Sequence, residues 1–198
     1  MVAQLPDGST VEMNAASHLK YFPYRWIIKR DLTFEGEGFF EVEKGKKFEV
    51  KSAQAKTSVL GTSFNIFSRD DLYKVACVTG KVLVTASNHE SVILNPSQQA
   101  ILKTGEDLKK LEALKKEEII SWRNNMFLFT AAPFQNVIKE IERQYGVSVK
   151  VESGLSGTLT CNFNRRSDVE EVLALVCKPL GYKFVKQTEK EYSIVRNN

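Results

Sequence analysis

Cysteine, histidine and long apolar runs are all scarce in this sequence. Its 198 residues include 3 cysteines and 2 histidines. An odd cysteine count without a CxxC pair argues against a disulfide framework or a zinc site. Cys77, Cys161 and Cys177 lie among apolar neighbours, so we expect buried thiols, and a bridge between Cys161 and Cys177 stays open. No apolar run approaches the roughly 20 residues of a membrane-spanning helix, and the start lacks the features of a signal peptide.

Charge of one sign is not concentrated anywhere along the chain. The net charge is +4, from 28 basic and 24 acidic residues. Residues 1–104 carry 13 basic and 11 acidic side chains, residues 105–124 carry 5 and 5, and residues 125–198 carry 10 and 8. Nucleic-acid-binding proteins usually gather their basic residues on one element. The distribution therefore argues against a nucleic-acid partner.

The sequence also lacks the residue groupings on which catalysis depends. His18 and His89 lie in polar turns, away from any serine or cysteine nucleophile motif. The glycine-rich stretch at 35–45 has no Lys-Ser/Thr pair, which a phosphate-binding loop requires. Its carboxylates alternate, which favours a solvated strand face over the paired carboxylates of a glycosidase; they are Glu35, Glu37, Glu41 and Glu43. We therefore expect no enzymatic activity, no cofactor and no metal ion.

Short β-strands are the main feature of the first hundred residues. Runs of alternating apolar and polar residues recur from Val11–Met13 to Ala100–Leu102, and turn sequences such as Thr79-Gly80-Lys81 separate them. The first turn, at 6–9, has strong hairpin chemistry. Many short strands at this spacing predict an all-β domain over residues 1–104, and a sandwich, a barrel and a solenoid all stay open.

A segment rich in Leu, Lys and Glu follows the β-rich region. Residues 105–124 consist mostly of strong helix formers, and Leu108, Leu111 and Leu114 have helical spacing. The charges of the segment balance. We therefore predict a solvated helical linker with one buried stripe and with Trp122 near its end.

The last part of the chain, 125–198, contains an internal repeat. Two sets of apolar residues fall at i, i+3, i+4 and i+7, beginning at Phe134 and, 35 residues later, at Val169. Gly146 and Gly181 follow the two predicted helices at the same offset, as C-terminal stops. Strands flank each helix, and one more is predicted at 192–195. The fold class is thus α+β, with a small β-α-β repeat domain whose helices pack on one side of one small sheet.

Four segments of the β-rich region form an ordered set of motifs. They are LPDGSTVEMNAASHLKY, LTFEGEGFFEVEKGKKFEVKS, SVLGTSFNIF and VILNPSQQAIL. Together they resemble the extracytoplasmic domain of FecR-family anti-sigma factors. Two departures from the family pattern are mild: Gly38 replaces an alanine, and Ser97 replaces the glycine of Pro-Gly-Gln. The stretch at 121–151 resembles the C-terminal domain of this family, which is similar to the short N-terminal domain of secretins and TonB-dependent transducers.

The resemblance implies a role in signal relay. In such proteins a cytoplasmic anti-sigma segment and one transmembrane helix precede this region, so the chain is expected to be the periplasmic part of a single-pass inner-membrane protein. It would begin just inside its first hairpin and leave that hairpin incomplete. The implied partners are the N-terminal signalling domain of a TonB-dependent outer-membrane transporter and, through the cytoplasmic segment, an extracytoplasmic-function sigma factor.

A binding module of this kind needs a contact surface, and exposed sheet edges of the repeat domain are the candidates for strand addition. The two predicted edge strands are 126–129 and 192–195. They supply the candidate partner-binding residues Met126, Phe127, Tyr192 and Ile194. Trp122 is the candidate anchor between the two domains. We expect a monomer until the partner arrives.

Two other classes of function stay open at this point. A periplasmic carbohydrate- or ligand-binding module could use the aromatic residues Trp26, Phe39 and Phe40 as a platform, although such residues more often fill a core. A structural component of a secretion channel could use the secretin-like repeat domain. The secretion-channel hypothesis predicts ring-like oligomers. The β-rich region of residues 1–104 argues against this hypothesis.

Overall fold

The computed structural model describes residues 1–112, 119–165 and 167–197, and the chain is mixed α and β with strands predominating. It divides into two compact units, Met1–Ile120 and Ser121–Asn198. No helix within the described residues is both long and apolar enough to cross a membrane.

The first unit is built from strands, which confirms the predicted β-rich N-terminal region. Over its described residues these are β1 (Val2–Gln4), β2 (Thr10–Met13), β3 (His18–Tyr21), β4 (Arg30–Glu41), β5 (Phe48–Lys51), β6 (Ala55–Val59), β7 (Ser63–Arg69), β8 (Leu72–Cys77), β9 (Val82–Ala86), β10 (Ser91–Leu94), β11 (Gln99–Lys103) and β12 (Lys109–Leu111). A 3-10 helix, Pro23–Arg25, lies between β3 and β4.

The long strand β4 joins two halves of one sheet. Its first part pairs with β3 and, in parallel, with β5, while its last part pairs with β2 and β7. The strand order is β10-β9-β6-β5-β4-β7-β8-β11-β12, with β1, β2 and β3 off this path. Gly36 lies between the two parts of β4 with a φ of 114°, a conformation that side chains other than glycine rarely adopt.

The two halves of the sheet face each other across one hydrophobic core. Alternate residues of most strands enter it, among them the fully buried rings of Phe34, Phe40 and Phe64. The hydroxyl groups of Thr57 on β6 and Tyr73 on β8 lie 2.6 Å apart inside the core and join the two halves. Burial raises the pKa of Tyr73 far above its ordinary value, so the phenol stays neutral. Its buried hydroxyl group has a hydrogen-bond partner in Thr57.

The first hairpin, which we expected to be incomplete, is formed. Strand β1 pairs with β2 from Val2 opposite Glu12 to Gln4 opposite Thr10. The turn is closed because the Leu5 amide donates to the Ser9 carbonyl and the Gly8 amide donates to the Leu5 carbonyl. Three residue pairs are therefore enough to seat β1 beside β2.

The prediction of a continuous helix over 105–124 is wrong for its first part. Gly105 lies in a turn with a φ of 83°, and Lys109–Leu111 form β12, which pairs antiparallel with β11. Residues 113–118 lie outside the described part of the chain. A 3-10 helix covers Ser121–Asn124. Helix propensity differs by only a few tenths of a kcal/mol per residue, so backbone pairing along an open sheet edge overrides it here.

The second unit contains the predicted repeat of strands and helices. Its strands are β13 (Met126–Pro133), β14 (Ser148–Val151), β15 (Thr158–Asn164), β16 (Tyr182–Lys186) and β17 (Glu191–Arg196). Its helices are Phe134–Tyr145 and Val169–Cys177, and a 3-10 helix, Lys178–Leu180, extends the second of them. The strands form two sheets, β13-β15 and β14-β17-β16, which corrects our expectation of one small sheet.

Both helices begin and end close to the predicted signals. The apolar face of the first helix, from Phe134 to Ile141, is buried, as is that of the second, from Val172 to Cys177. Gly146 and Gly181 adopt the left-handed conformation expected of C-terminal stops. The second helix is capped by Asp168, whose side chain accepts a hydrogen bond from the Glu170 amide.

Candidate partner-binding surface

The Pro6–Ser9 turn supports a buried arginine at the start of β4. The Arg30 guanidinium pairs with the Asp7 carboxylate and also donates to the carbonyls of Lys46 (2.7 Å) and Glu43 (2.8 Å). The Ser9 hydroxyl donates to Asp7 at 2.9 Å and accepts a bond from the Glu43 amide at 3.0 Å. This turn therefore has a structural role, which is to compensate a buried charge.

The charge state of Asp7 follows from the same contacts. Burial disfavours the carboxylate, but hydrogen bonds from Ser9 and Arg30 outweigh that effect and hold the pKa of Asp7 below its ordinary value. The Asp7 carboxylate is thus ionised at neutral pH and balances the Arg30 guanidinium. This pair belongs to the framework of the first unit.

The alternating carboxylates between residues 35 and 43 do not form a paired catalytic site. Glu35, Glu41 and Glu43 are exposed. Glu37 accepts hydrogen bonds from the side-chain amides of Asn14 (2.8 Å) and Asn65 (3.3 Å). Its carboxylate is therefore used to hold β2, β4 and β7 together.

The aromatic residues weighed as a sugar platform lie in the interior. Trp26, Phe39 and Phe40 are all buried. The Phe40 ring stacks on Phe64 at 5.0 Å, and Trp26 makes an edge contact with Phe48 at 5.7 Å. A ligand cannot stack on faces that the protein already covers. The carbohydrate-binding hypothesis therefore loses the residues on which it rested.

The cysteine and histidine residues form no site within the described chain. All three cysteines are free; Cys77 and Cys177 are buried and Cys161 is half-buried. Burial raises the pKa of Cys77 and of Cys177 to about 11, so neither is an activated thiolate. Among the residues described, no group of three or more acidic, histidine or cysteine side chains is placed to hold a metal ion.

Strand β13 contributes an aromatic cluster to the second unit. The Phe127 ring packs against Phe163 at 4.9 Å and Phe129 at 5.7 Å, and the Arg165 guanidinium lies 5.5 Å from its centre. Phe127 is buried in this cluster. The Phe127 ring therefore packs inside the second unit, and the part of this residue in partner binding stays a prediction.

The main chain of β13 has one edge against β15 and one open edge within the described residues. The Asn125 carbonyl accepts from the Arg165 amide, so the amide at the other end of that peptide plane, on Met126, points away from β15. In an antiparallel ladder the bonded direction alternates along the strand. Phe127 and Phe129 therefore bond to β15, while the amides and carbonyls of Met126 and Leu128 point outward.

The far end of β13 carries two features typical of an edge. The pairing register with β15 shifts between Phe129 and Ala132, where Ala131 has a φ of 46° and its amide donates to the Thr160 hydroxyl. Pro133, the last residue of the strand, has no amide to donate, which restricts it to an edge or a bulge. The regular open edge is therefore the stretch Met126–Phe129, which we call the β13 edge.

The other predicted edge strand lies at the centre of its sheet. Strand β17 pairs in parallel with β14 and antiparallel with β16. Tyr192 and Ile194 are buried in the core of the second unit. Strand addition at Tyr192–Val195 is therefore excluded, because both backbone edges of β17 are already paired.

Of the residues predicted from the sequence, Met126 keeps its place at the candidate surface. Leu128 shares its outward main-chain direction and is partly exposed, yet it was missed because its role depends on backbone direction. The sequence did contain one indication that β13 is an edge strand. Pro133 has no amide to donate to a neighbouring strand, which is typical of an edge.

Trp122 lies in the 3-10 helix before β13, and its side chain is half-buried. Its carbonyl accepts a bond from the Arg165 guanidinium at 2.9 Å. Its role as an anchor between the two domains stays a prediction.

Comparison with known proteins gave matches along most of the chain. The family model described as FecR protein matches residues 1–83, and the one described as FecR, C-terminal, matches residues 126–194. Two crystal structures, each of a candidate anti-sigma factor from Parabacteroides distasonis, have TM-scores of 0.89 and 0.88. Both are 26% identical, and the matches cover 100% of this chain and 95% and 94% of theirs. Comparison with curated proteins gave no match.

Proposed function

Since this chain belongs to the FecR family of anti-sigma factors, we propose that it is the signal-receiving periplasmic region of such a protein. It binds the N-terminal signalling domain of a TonB-dependent outer-membrane transporter and thereby controls an extracytoplasmic-function sigma factor. A cytoplasmic segment joined through one membrane helix transmits the signal. The chain is a monomer until its partner binds.

The observation that carries the proposal is the β13 edge. A regular open edge offers backbone donors and acceptors in the spacing that an added strand requires. It lies at the start of the region that matches the C-terminal FecR family model. We propose that a strand of the signalling domain pairs with Met126 and Leu128 there.

The test is a titration of the chain with the isolated signalling domain of the TonB-dependent transporter encoded beside it. Leu128→Pro removes one outward amide and leaves the bonds from Phe127 and Phe129 to β15 in place. We expect this variant to fold and to bind at least about tenfold more weakly by calorimetry, since strand addition relies on main-chain bonds.

A proline at the edge of the other sheet is the matched control. On β16 the residues bonded to β17 are odd-numbered, because the Asn197 amide donates to Gly181 and the Gln187 amide donates to Glu191. The amide of Lys186 therefore points outward too, and Lys186→Pro should bind like the unchanged chain. Equal affinity of the Leu128→Pro and Lys186→Pro variants would contradict the proposed surface.

A further inference from the structure

The segment between β3 and β4 exposes four large apolar side chains within seven residues. Tyr24 is 98% exposed, Ile27 86%, Ile28 84% and Phe22 58%. We call residues 22–28 the apolar loop. Single exposed apolar residues are common on protein surfaces, but a group of them marks a site of interaction with a protein or a membrane.

The apolar loop is held in one shape by its own backbone and by a buried tryptophan. The amides of Arg25 and Trp26 donate to the carbonyls of Phe22 and Pro23, and the Ile28 amide donates to Arg25. The Trp26 ring is buried and makes edge contacts with Tyr21 at 5.3 Å and Phe48 at 5.7 Å. Tyr24 precedes the buried Trp26 in the sequence, and Ile27 and Ile28 follow it. Their exposure is therefore part of an ordered structure.

Basic side chains surround the apolar loop. A cleft of about 240 Å³ lies beside it, lined by residues that include Lys20, Arg25, Lys29 and Lys51. Lys20, Thr33, Lys51 and Lys56 form one row across β3, β4, β5 and β6 on the outer face of the sheet.

The carboxylates of this face do not balance its basic groups. Asp31 pairs with Lys51 at 2.8 Å and with Lys29 at 3.4 Å. Glu49 pairs with Lys47 at 2.8 Å and with Lys56 at 3.6 Å. Glu35, two positions beyond Thr33 on β4, is the third carboxylate of this face after Asp31 and Glu49. With Lys20 and Arg25 included, six basic groups face these three acidic ones. The face therefore carries a surplus of positive charge.

We propose that the apolar loop inserts into an anionic membrane surface. Tyr24, Ile27 and Ile28 enter the boundary between headgroups and acyl chains, and the lysines and Arg25 bind lipid phosphates at the rim. Aromatic and aliphatic side chains beside basic ones are the combination that interfacial membrane segments use. A membrane is favoured over a protein partner because the exposed apolar side chains lie beside a surplus of basic groups, which matches an apolar layer edged by anionic headgroups.

The inference concerns the first unit, and it can be tested without a transporter. The test is sedimentation of the chain with vesicles of phosphatidylcholine and phosphatidylglycerol. The variant combines Tyr24→Ser, Ile27→Ser and Ile28→Ser. The matched control combines Leu60→Ser and Ile93→Ser, which change exposed apolar residues outside the loop. We expect partitioning to fall at least about tenfold in the loop variant and to stay within about twofold in the control.

A second variant separates the basic rim from the apolar contacts. Combining Lys20→Gln with Arg25→Gln should weaken binding to the anionic vesicles several-fold and leave binding to pure phosphatidylcholine vesicles unchanged. If the triple variant melts at a lower temperature than the unchanged chain, Ile27→Ser alone is used instead. It should reduce partitioning onto the vesicles in the same direction and by a smaller factor.

Three results would overturn the inference. The first is that the unchanged chain does not sediment with anionic vesicles. The second is that the loop variant partitions as well as the unchanged chain. The third is that the control variant loses as much partitioning as the loop variant, which would mean that the loop is not the membrane contact. None of these results depends on whether Leu128→Pro weakens the transporter contact.

Discussion

At the scale of single residues, Arg30 explains the motif with which the chain begins. Its guanidinium is buried, and the Asp7 carboxylate, the Ser9 hydroxyl and two main-chain carbonyls surround it. Its carbon atom Cζ also lies 5.4 Å from the centre of the Phe48 ring. A motif that first suggests only a turn therefore serves to neutralise a charge taken out of water.

Arg30→Ala should destabilise the chain by roughly 2–4 kcal/mol. The change leaves Asp7 partly buried and without its cation, and losing one partner of a buried pair is costly. The measurement is the free energy of unfolding in urea. Arg25→Ala is the matched control, since Arg25 is exposed, and it should change stability by no more than about 0.5 kcal/mol. Equal effects of the two changes would contradict the role given to Arg30.

The sequence could indicate the turn but not its purpose. Proline, aspartate and glycine at 6–8 predict a tight turn by local chemistry. The partner Arg30 lies 23 residues further along, and no spacing rule links a turn carboxylate to an arginine at that distance. Only the folded sheet brings them together.

At the scale of elements, Gly36 determines how β4 can serve both halves of the sheet. It has a φ of 114°, and a β-carbon built there would overlap both the side chain and the backbone of Ser17. The Ser17 hydroxyl accepts from the Glu37 amide at 3.0 Å, so Ser17 cannot move away without losing this contact.

Gly36→Ala should therefore lower the free energy of unfolding by more than the strain of the φ angle alone would. We expect a loss of roughly 2–4 kcal/mol, from the left-handed conformation together with the displacement of Ser17. Gly105→Ala is the control, because Gly105 has a φ of 83° with open space around it, and it should cost about 1 kcal/mol. Thermal and urea unfolding of the two variants measure the difference. A Gly36→Ala chain as stable as Gly105→Ala would show that β4 does not depend on this close approach.

Periodicity predicted the helices of the second unit better than its strand order. The spacing from Phe134 to Ile141 and the stop at Gly146 follow from local rules, and the structure confirms both. The pattern of Tyr192 and Ile194 shows which face of β17 is buried, but it does not show which strands lie beside it. Strand neighbours depend on chain topology, so the central place of β17 could not be foreseen.

Propensity misled the prediction at Lys109–Leu111. The stretch from Lys109 to Glu112 suits a helix, yet it follows Gly105 and reaches the open edge of β11, where backbone pairing forms β12. All three residues of β12 are exposed, so no packing pattern in the sequence marks the strand.

At the scale of the whole molecule, the two units carry different surfaces. The first unit, Met1–Ile120, presents the apolar loop and its basic surroundings, while the second, Ser121–Asn198, presents the β13 edge. No catalytic grouping has emerged among the described side chains, and Asp7, Arg30 and Glu37 are used in framework contacts. We propose that signal reception takes place by main-chain pairing in the second unit.

The measurement that tests this assignment most directly is amide hydrogen exchange of the chain alone and in complex with the transporter signalling domain. We predict that the amides of Met126 and Leu128 become strongly protected on binding, because an added strand accepts their hydrogen bonds. The outward amides of Phe184 and Lys186 on β16 should exchange as before. A complex that forms while Met126 and Leu128 keep their exchange rates would contradict the account and place the contact elsewhere.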